Sequence, residues 1–119
     1  MNPKQNSTDE SHDSIPHLGE SLARIESDLG NPTRLGIVAS LKHRTRAEFK
    51  LLRDSLGVSD SVLSRHISAL EKAGLVEIKK GYVGKRPRTW VAITPEGSVR
   101  LDAHVQALRE LAGGGADQY

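Results

Sequence analysis

The chain has 119 residues, no cysteine, 36% apolar residues and only 3% aromatics. This suits one small domain with a core of Leu, Ile, Val and Ala, and excludes disulfides, zinc–thiolate clusters and thiol catalysis. The net charge of +2 is uneven: residues 1–30 carry two basic and six acidic side chains, whereas residues 79–88 hold Lys79, Lys80, Lys85, Arg86 and Arg88 and no acid, a local excess that suits a polyanionic partner.

No apolar run approaches the roughly 20 residues of a membrane span. The opening MNPKQNSTDESHDS lacks the basic start and apolar stretch of a secretory signal, so a cytoplasmic location is expected. Residues 1–16 are too polar to offset the entropy of ordering and are expected to form a disordered tail. A single domain over residues 17–112 is expected to follow. Leu18, Leu22, Ile25 and Leu29 fall on one face of a helix, with Gly30 as its stop. Asn31-Pro32 has the form of an N-cap followed by proline at the first helical position. The second helix turns Leu35, Val38 and Leu41 inward with Ile37 beside them and ends in the basic Lys42-His43-Arg44.

A third helix over about residues 48–56 carries Phe49, Leu52 and Leu56 on its inner face and ends at Gly57. After Val58, Ser59 caps a fourth helix running to about residue 73, with Leu63, Ile67 and Leu70 as its buried stripe and Gly74 as its stop. The pattern then switches to a period of two. In LVEIKK, Val76 and Ile78 alternate with Glu77 and Lys79; in RTWVAI, Thr89, Val91 and Ile93 point one way and Trp90 and Ala92 the other. Between them GYVGKRP is expected to form a loop, making a β-hairpin with a basic tip. Thr94-Pro95 opens a last helix with the stripe Leu101, Val105, Leu108 and Leu111. GGGADQY, residues 113–119, is expected to fray as a flexible C-terminal tail.

Two helices joined by Gly57-Val58-Ser59 form a helix-turn-helix unit, a geometry that places the second helix in a DNA major groove. The buried stripe of that helix leaves Asp60, Ser61, Ser64, Arg65 and Ser68 on its free side, with Val62 near the edge. Arg65 can present a fork to guanine, and serine hydroxyls can bond base edges or phosphates. Asp60 can accept from cytosine or simply favour the helix start. Lys85, Arg86 and Arg88 around Pro87 suit contacts with the adjacent minor groove or backbone. Gly-broken helix pairs and solvated basic hairpins also occur in proteins that touch no nucleic acid, so the two features count together. The stripes Leu18/Leu22/Ile25/Leu29 and Leu101/Val105/Leu108/Leu111 sit at opposite ends of the chain and need a partner surface. A twofold homodimer supplies one, and packing on each other within one chain is the alternative.

The segments NPTRLGIVASL, Phe49–Val76 and Gly84–Gly97 (GKRPRTWVAITPEG) resemble winged-helix regulators related to the MarR and ArsR families. They are especially similar to a short single-domain subgroup with a GxRPRTW wing and a TPEG helix start. The resemblance covers about residues 18–110. It implies a mainly α fold with a small β-hairpin, in the order helix, helix, helix, helix, wing, helix. It implies recognition-helix contacts to double-stranded DNA from Ser59, Asp60, Ser61, Ser64 and Arg65, wing contacts from Lys85, Arg86 and Arg88, and a dimer built from the first and last helices. The expected function is a sequence-specific transcriptional regulator, a repressor, acting as a homodimer on an inverted-repeat operator. A winged-helix module binding protein or nonspecific DNA is the alternative. An unidentified small-molecule effector stays open.

Metal sensing has little support. Asp102 and His104 match the first half of a D-x-H pattern found in ArsR-like last-helix sites, but Gly113-Gly114-Gly115 follows where further ligands would be needed, and the five histidines show no ligand spacing. No cofactor is expected. Paired carboxylates, a phosphate-binding glycine loop and a nucleophile elbow are all missing from the sequence, so no enzyme is expected.

Overall fold

The computed structural model describes residues 15–113, so the expected tails, 1–16 and 113–119, lie almost wholly outside the described residues. The described chain runs α1 (Leu18–Ala23), a 3-10 turn (Ser27–Leu29), α2 (Pro32–Leu41), β1 (Ala47–Glu48), α3 (Phe49–Leu56), α4 (Asp60–Lys72), β2 (Val76–Val83), β3 (Arg86–Ile93) and α5 (Pro95–Leu111). The strands form one antiparallel sheet in the order β1-β3-β2. This is a winged-helix fold, with the helices packed against a small three-stranded sheet.

The inner stripes meet in one core. Ile37, Val38 and Leu41 of α2, Leu52 of α3, Leu63, Ile67 and Leu70 of α4, Leu75 in the link to β2, and Val76 and Val91 of the sheet are buried together. Fully burying each leucine or isoleucine contributes roughly 1.5–3 kcal/mol, so the three apolar anchors of α4 fix which of its sides stays in water. Local signals agree with this packing. Asn31 Oδ1 accepts from the Arg34 amide at 3.1 Å and Thr94 Oγ1 from the Gly97 amide at 2.8 Å, capping α2 and α5. Gly57 ends α3 at φ 68°, a left-handed conformation that costs glycine nothing.

The sequence misleads in three places. The first is the N-terminal helix, which stops at Ala23; Glu26 is extended and Leu29 lies in a separate 3-10 turn. Tertiary bonds override the helical period here. His104 Nδ1 accepts the Glu26 amide at 3.0 Å, and Arg100 grips the Glu26 carboxylate through Nε at 2.9 Å and Nη2 at 2.7 Å. These charged hydrogen bonds hold the Glu26 carboxyl below its usual pKa. The second is β1, which pairs Ala47 with Val91 and Glu48 with Trp90 and so delays α3 to Phe49. Two residues are too short a run for period two to register. The third is the expected GYVGKRP loop, which is mostly strand. Tyr82 pairs with Pro87 and Val83 with Arg86, leaving a two-residue turn, Gly84-Lys85. Gly84 has φ 63°, the positive value that tight hairpin turns require at their first central position.

On the outer face of the sheet, the chain's single tryptophan, Trp90, lies beneath the Arg46 guanidinium, 4.0 Å from the ring centroid. Its ring also lies beside Gly81, where a Cβ would come within 3.0 Å of it.

The TPEG segment fastens α5 to the end of α4. Thr94 Oγ1 donates to the Gly74 carbonyl at 2.7 Å, Arg100 Nη1 donates to the Ala73 carbonyl at 2.7 Å, and Glu96 pairs with Arg100. Gly97 leaves no room for a side chain: a Cβ would sit 2.1 Å from the Leu75 carbonyl oxygen. At the far end of α5, Glu110 pairs with Arg24 and accepts from Ser21 Oγ at 2.6 Å, tying α1 to α5. Arg24 first, then Ser21, lower the Glu110 pKa to about 2 from an ordinary 4.5.

Gly97→Ala should destabilise the fold by about 1–3 kcal/mol or more through overpacking, lowering the melting temperature by roughly 5 °C or more. Gly36→Ala, on an exposed helix position with nothing within 4 Å, should instead stabilise it by about 0.5–1 kcal/mol. Because the Glu110 pKa is depressed on folding, its contribution is complete above pH 4.5 and lost as pH falls toward 2. Denaturation midpoints measured across that range should fall less steeply for Glu110→Gln than for the parent.

Candidate nucleic-acid interface

Helix α4 stands at the surface with its apolar side down. Its outer line is Ser61, Arg65, Ser68 and Lys72, all exposed and spaced three or four residues apart along one face. Arg65 makes no ion pair among the described residues. Ser64 is exposed on the side toward the sheet. There it lines a cleft with Ser68, Lys80 and Thr89 above an apolar floor of Phe49, Ile67, Ile78 and Val91. Recognition helix and wing therefore form two walls of one surface groove.

Two expected contacts have structural partners of their own. Ser59 is the N-cap of α4: its hydroxyl accepts the Val62 amide at 3.2 Å and lies 3.2 Å from Ser61 Oγ. Asp60 pairs with Arg53 of α3 at 2.8 Å, and Arg53 also meets Asp54. The acid thus orients a cation at the mouth of the helix-turn-helix. Sequence reasoning missed Arg53, although its position four residues before Gly57 marked it as a last-turn side chain.

The wing cations divide. Lys85 and Arg86 are exposed at the turn. Arg88 departs from expectation: it is only 27% exposed and lies 3.5 Å from the Glu48 carboxylate of β1. The β-pleat puts it on the outer sheet face with Trp90. Lys80, which was not expected at the site, faces the groove from β2 instead.

The two terminal stripes are also split. Leu29 (1% exposed) and Leu101 (4%) are buried in the protomer's own core, so neither is a surface residue. Ile25 and Val105 are half-buried, Val105 against that core. Leu18, Leu22 (54%), Leu108 (40%) and Leu111 remain exposed, and Leu18 and Leu111 share a hollow with Ile15. Asp102 pairs with Lys42, while His104 (2% exposed) accepts from the Glu26 amide, so the D-x-H pair does not converge on one ligand position. Among the described residues no cluster of three metal-ligating side chains occurs, and no helix is long and apolar enough to cross a membrane.

The profile of the winged helix DNA-binding domain family matches residues 33–112, from α2 through α5. The chain belongs to this family. Its members are DNA-binding regulators and not enzymes. The chain is 32% identical over 79 residues to an uncharacterized protein of Methanocaldococcus jannaschii, covering 66% of this chain and 86% of the relative. It is also similar to a solved transcriptional regulator homologue from Pyrococcus horikoshii OT3, at 35% identity and a TM-score of 0.72, over 84% of this chain and 97% of that one. A protein described as a MarR-family transcriptional regulator from Enterococcus faecalis V583 shares the fold at 23% identity and a TM-score of 0.60, over 99% and 93% of the two chains.

The cap at the start of α4 can be tested by itself. Ser59→Ala should lower folding stability by about 1 kcal/mol, and Ser59→Gly by only a few tenths, read as shifts in the urea midpoint at unchanged slope.

Proposed function

We propose that this winged-helix chain is a sequence-specific regulator of transcription that binds duplex DNA as a homodimer on an inverted-repeat operator and represses by occupying it. The observation that carries the reading is the exposed Ser61–Arg65–Ser68 line of α4, held outward by Leu63, Ile67 and Leu70 beside a cationic wing. In this reading α4 lies in the major groove, where Arg65 forms a bidentate pair with a guanine and Ser61, Ser64 and Ser68 bond base edges or phosphates. Lys85 and Arg86 meet the backbone or minor groove beside it. Ser59 and Asp60 act through others, by capping the helix and orienting Arg53. Arg88 braces the sheet against Glu48. The Pyrococcus horikoshii protein, similar over almost its whole length and described as a transcriptional regulator homologue, supports this reading.

The exposed Leu18, Leu22, Leu108 and Leu111 support the dimer. Two copies meeting through α1 and α5 cover these side chains and set two α4 helices about 34 Å apart, one turn of DNA. A cytoplasmic location, as expected from the sequence, fits a regulator of this kind.

Gel-shift titration against genomic fragments should show saturable, salt-sensitive binding. Arg65→Ala should reduce discrimination between the preferred site and random duplex by roughly 10-fold or more. Arg86→Ala should weaken binding to all sequences alike and lower the salt slope by about 1. Parental behaviour in both variants would remove these residues from the interface. Sedimentation at micromolar concentration should give a dimer, and Leu108→Asp should yield a folded monomer by placing an unpaired charge in the interface. A parent that sediments as a monomer contradicts the half-site arrangement.

A further inference from the structure

Helix α4 has a second cationic flank, on the side away from the wing. Arg34, which reaches over from α2, shares a surface hollow with Ser64, Arg65, His66, Ser68 and Lys72. Arg34 is held in place rather than free to wander. Its Nε donates to His66 Nδ1 at 3.2 Å and its Nη1 donates to Asp28 Oδ1 at 3.2 Å, while Nη2 makes no hydrogen bond among the described residues. Burial first, then the charges of Arg34 and Arg65, holds the His66 pKa below its ordinary value, so the neutral ring keeps its lone pair for Arg34. Lys72, in the last turn of α4, makes no ion pair among the described residues. Three cations thus surround one hollow, and among the described residues only Arg34 has an ion-pair partner, Asp28.

A helix with its side chains is about 10–12 Å across and the major groove is about 12 Å wide. A helix lying in it therefore has a phosphate wall on each side. The wing, with Lys80 and Thr89 facing Ser64 and Ser68, addresses one wall. Arg34 stands over His66, which points nearly opposite to Ser64 because the two are two residues apart on the helix, and the hollow it lines reaches across the top of α4 as far as Ser64.

We propose that Arg34 and Lys72 form a second phosphate-binding edge, gripping the DNA strand across the major groove from the one engaged by the wing. This rests on the DNA-binding reading above and adds to it a site on α2. Neutral His66 and Asp28 are positioning residues that aim the Arg34 fork, and Nη2 is the donor left for a backbone phosphate oxygen. A phosphate there relieves the mutual repulsion of Arg34, Arg65 and Lys72.

The test uses the full chain and two labelled duplexes, one selected by the parent protein from a random pool and one of scrambled sequence, with anisotropy titrations over a salt series. Arg34→Ala and Lys72→Ala should each weaken binding to both duplexes by the same factor, roughly 3- to 10-fold. Each should lower the salt slope by about 1 and leave the ratio between duplexes unchanged. Lys72 is exposed, so its variant reports the contact without disturbing the fold. The proposal is overturned if both variants keep parental affinity and slope. It is equally overturned if either changes the ratio between duplexes, or if only Arg34→Ala weakens binding and does so with a lowered melting temperature. A parent that binds neither duplex refutes the DNA-binding reading itself, whereas a parent that binds beside unaffected variants refutes only the second edge.

Discussion

The Leu75 carbonyl and Gly97 touch where any other residue would collide, and the rest of the molecule is arranged around that contact. It lets α5 begin directly against the chain leaving α4. Thr94 and Arg100 then occupy the Gly74 and Ala73 carbonyls, the polar groups that the end of a helix leaves bare. Leu63, Ile67 and Leu70 secure the same helix along its length, and Ser59 closes its start. A helix fixed at both ends and along one side can offer a surface of fixed shape. An interface that reads base edges requires that rigidity, because a bidentate arginine contact tolerates little misplacement.

The same region links the terminal elements to α4. Arg100 donates to Glu26, Glu96 and the Ala73 carbonyl, spending most of its donors on three separate segments. The chain before α2 therefore reports its position to the end of α4 through one guanidinium. At the other end of α5, Glu110 holds Arg24 and Ser21. Polar bonds, rather than the leucine stripes, join α1 to α5, and this leaves several of those leucines uncovered.

Where short-range rules govern, the sequence was legible. Asn31-Pro32, Gly57, Ser59 and Thr94-Pro95 are signals written in neighbouring residues, and each marks an element boundary in the structure to within a residue. The stripe of α4, and hence its free face, followed from spacing alone. What escaped depends on residues far apart in the chain. The break after Ala23 is imposed by Arg100 and His104, more than seventy positions away. β1 exists because β3 has an open edge for Ala47 and Glu48. Arg88 looked like a free wing cation because its partner, Glu48, lies forty residues earlier on that unforeseen strand. The expectation for the leucine stripes failed in part for a related reason: periodicity names an apolar face but not which of its members the protomer's own core will take. The Arg34–His66 contact was invisible for the same reason, because the two residues belong to different helices.

Trp90 gives the wing an optical identity. It is the only indole in the chain, and it sits on the outer sheet face within contact distance of a guanidinium, in the strand that begins with Arg86 beside the Gly84-Lys85 turn. Indole emission responds to nearby charge and to water, so the fluorescence of the unmodified protein arises almost entirely at the wing. The hairpin's surroundings can therefore be followed in solution without attaching a dye, in a part of the molecule where an added label would alter the charge pattern under observation.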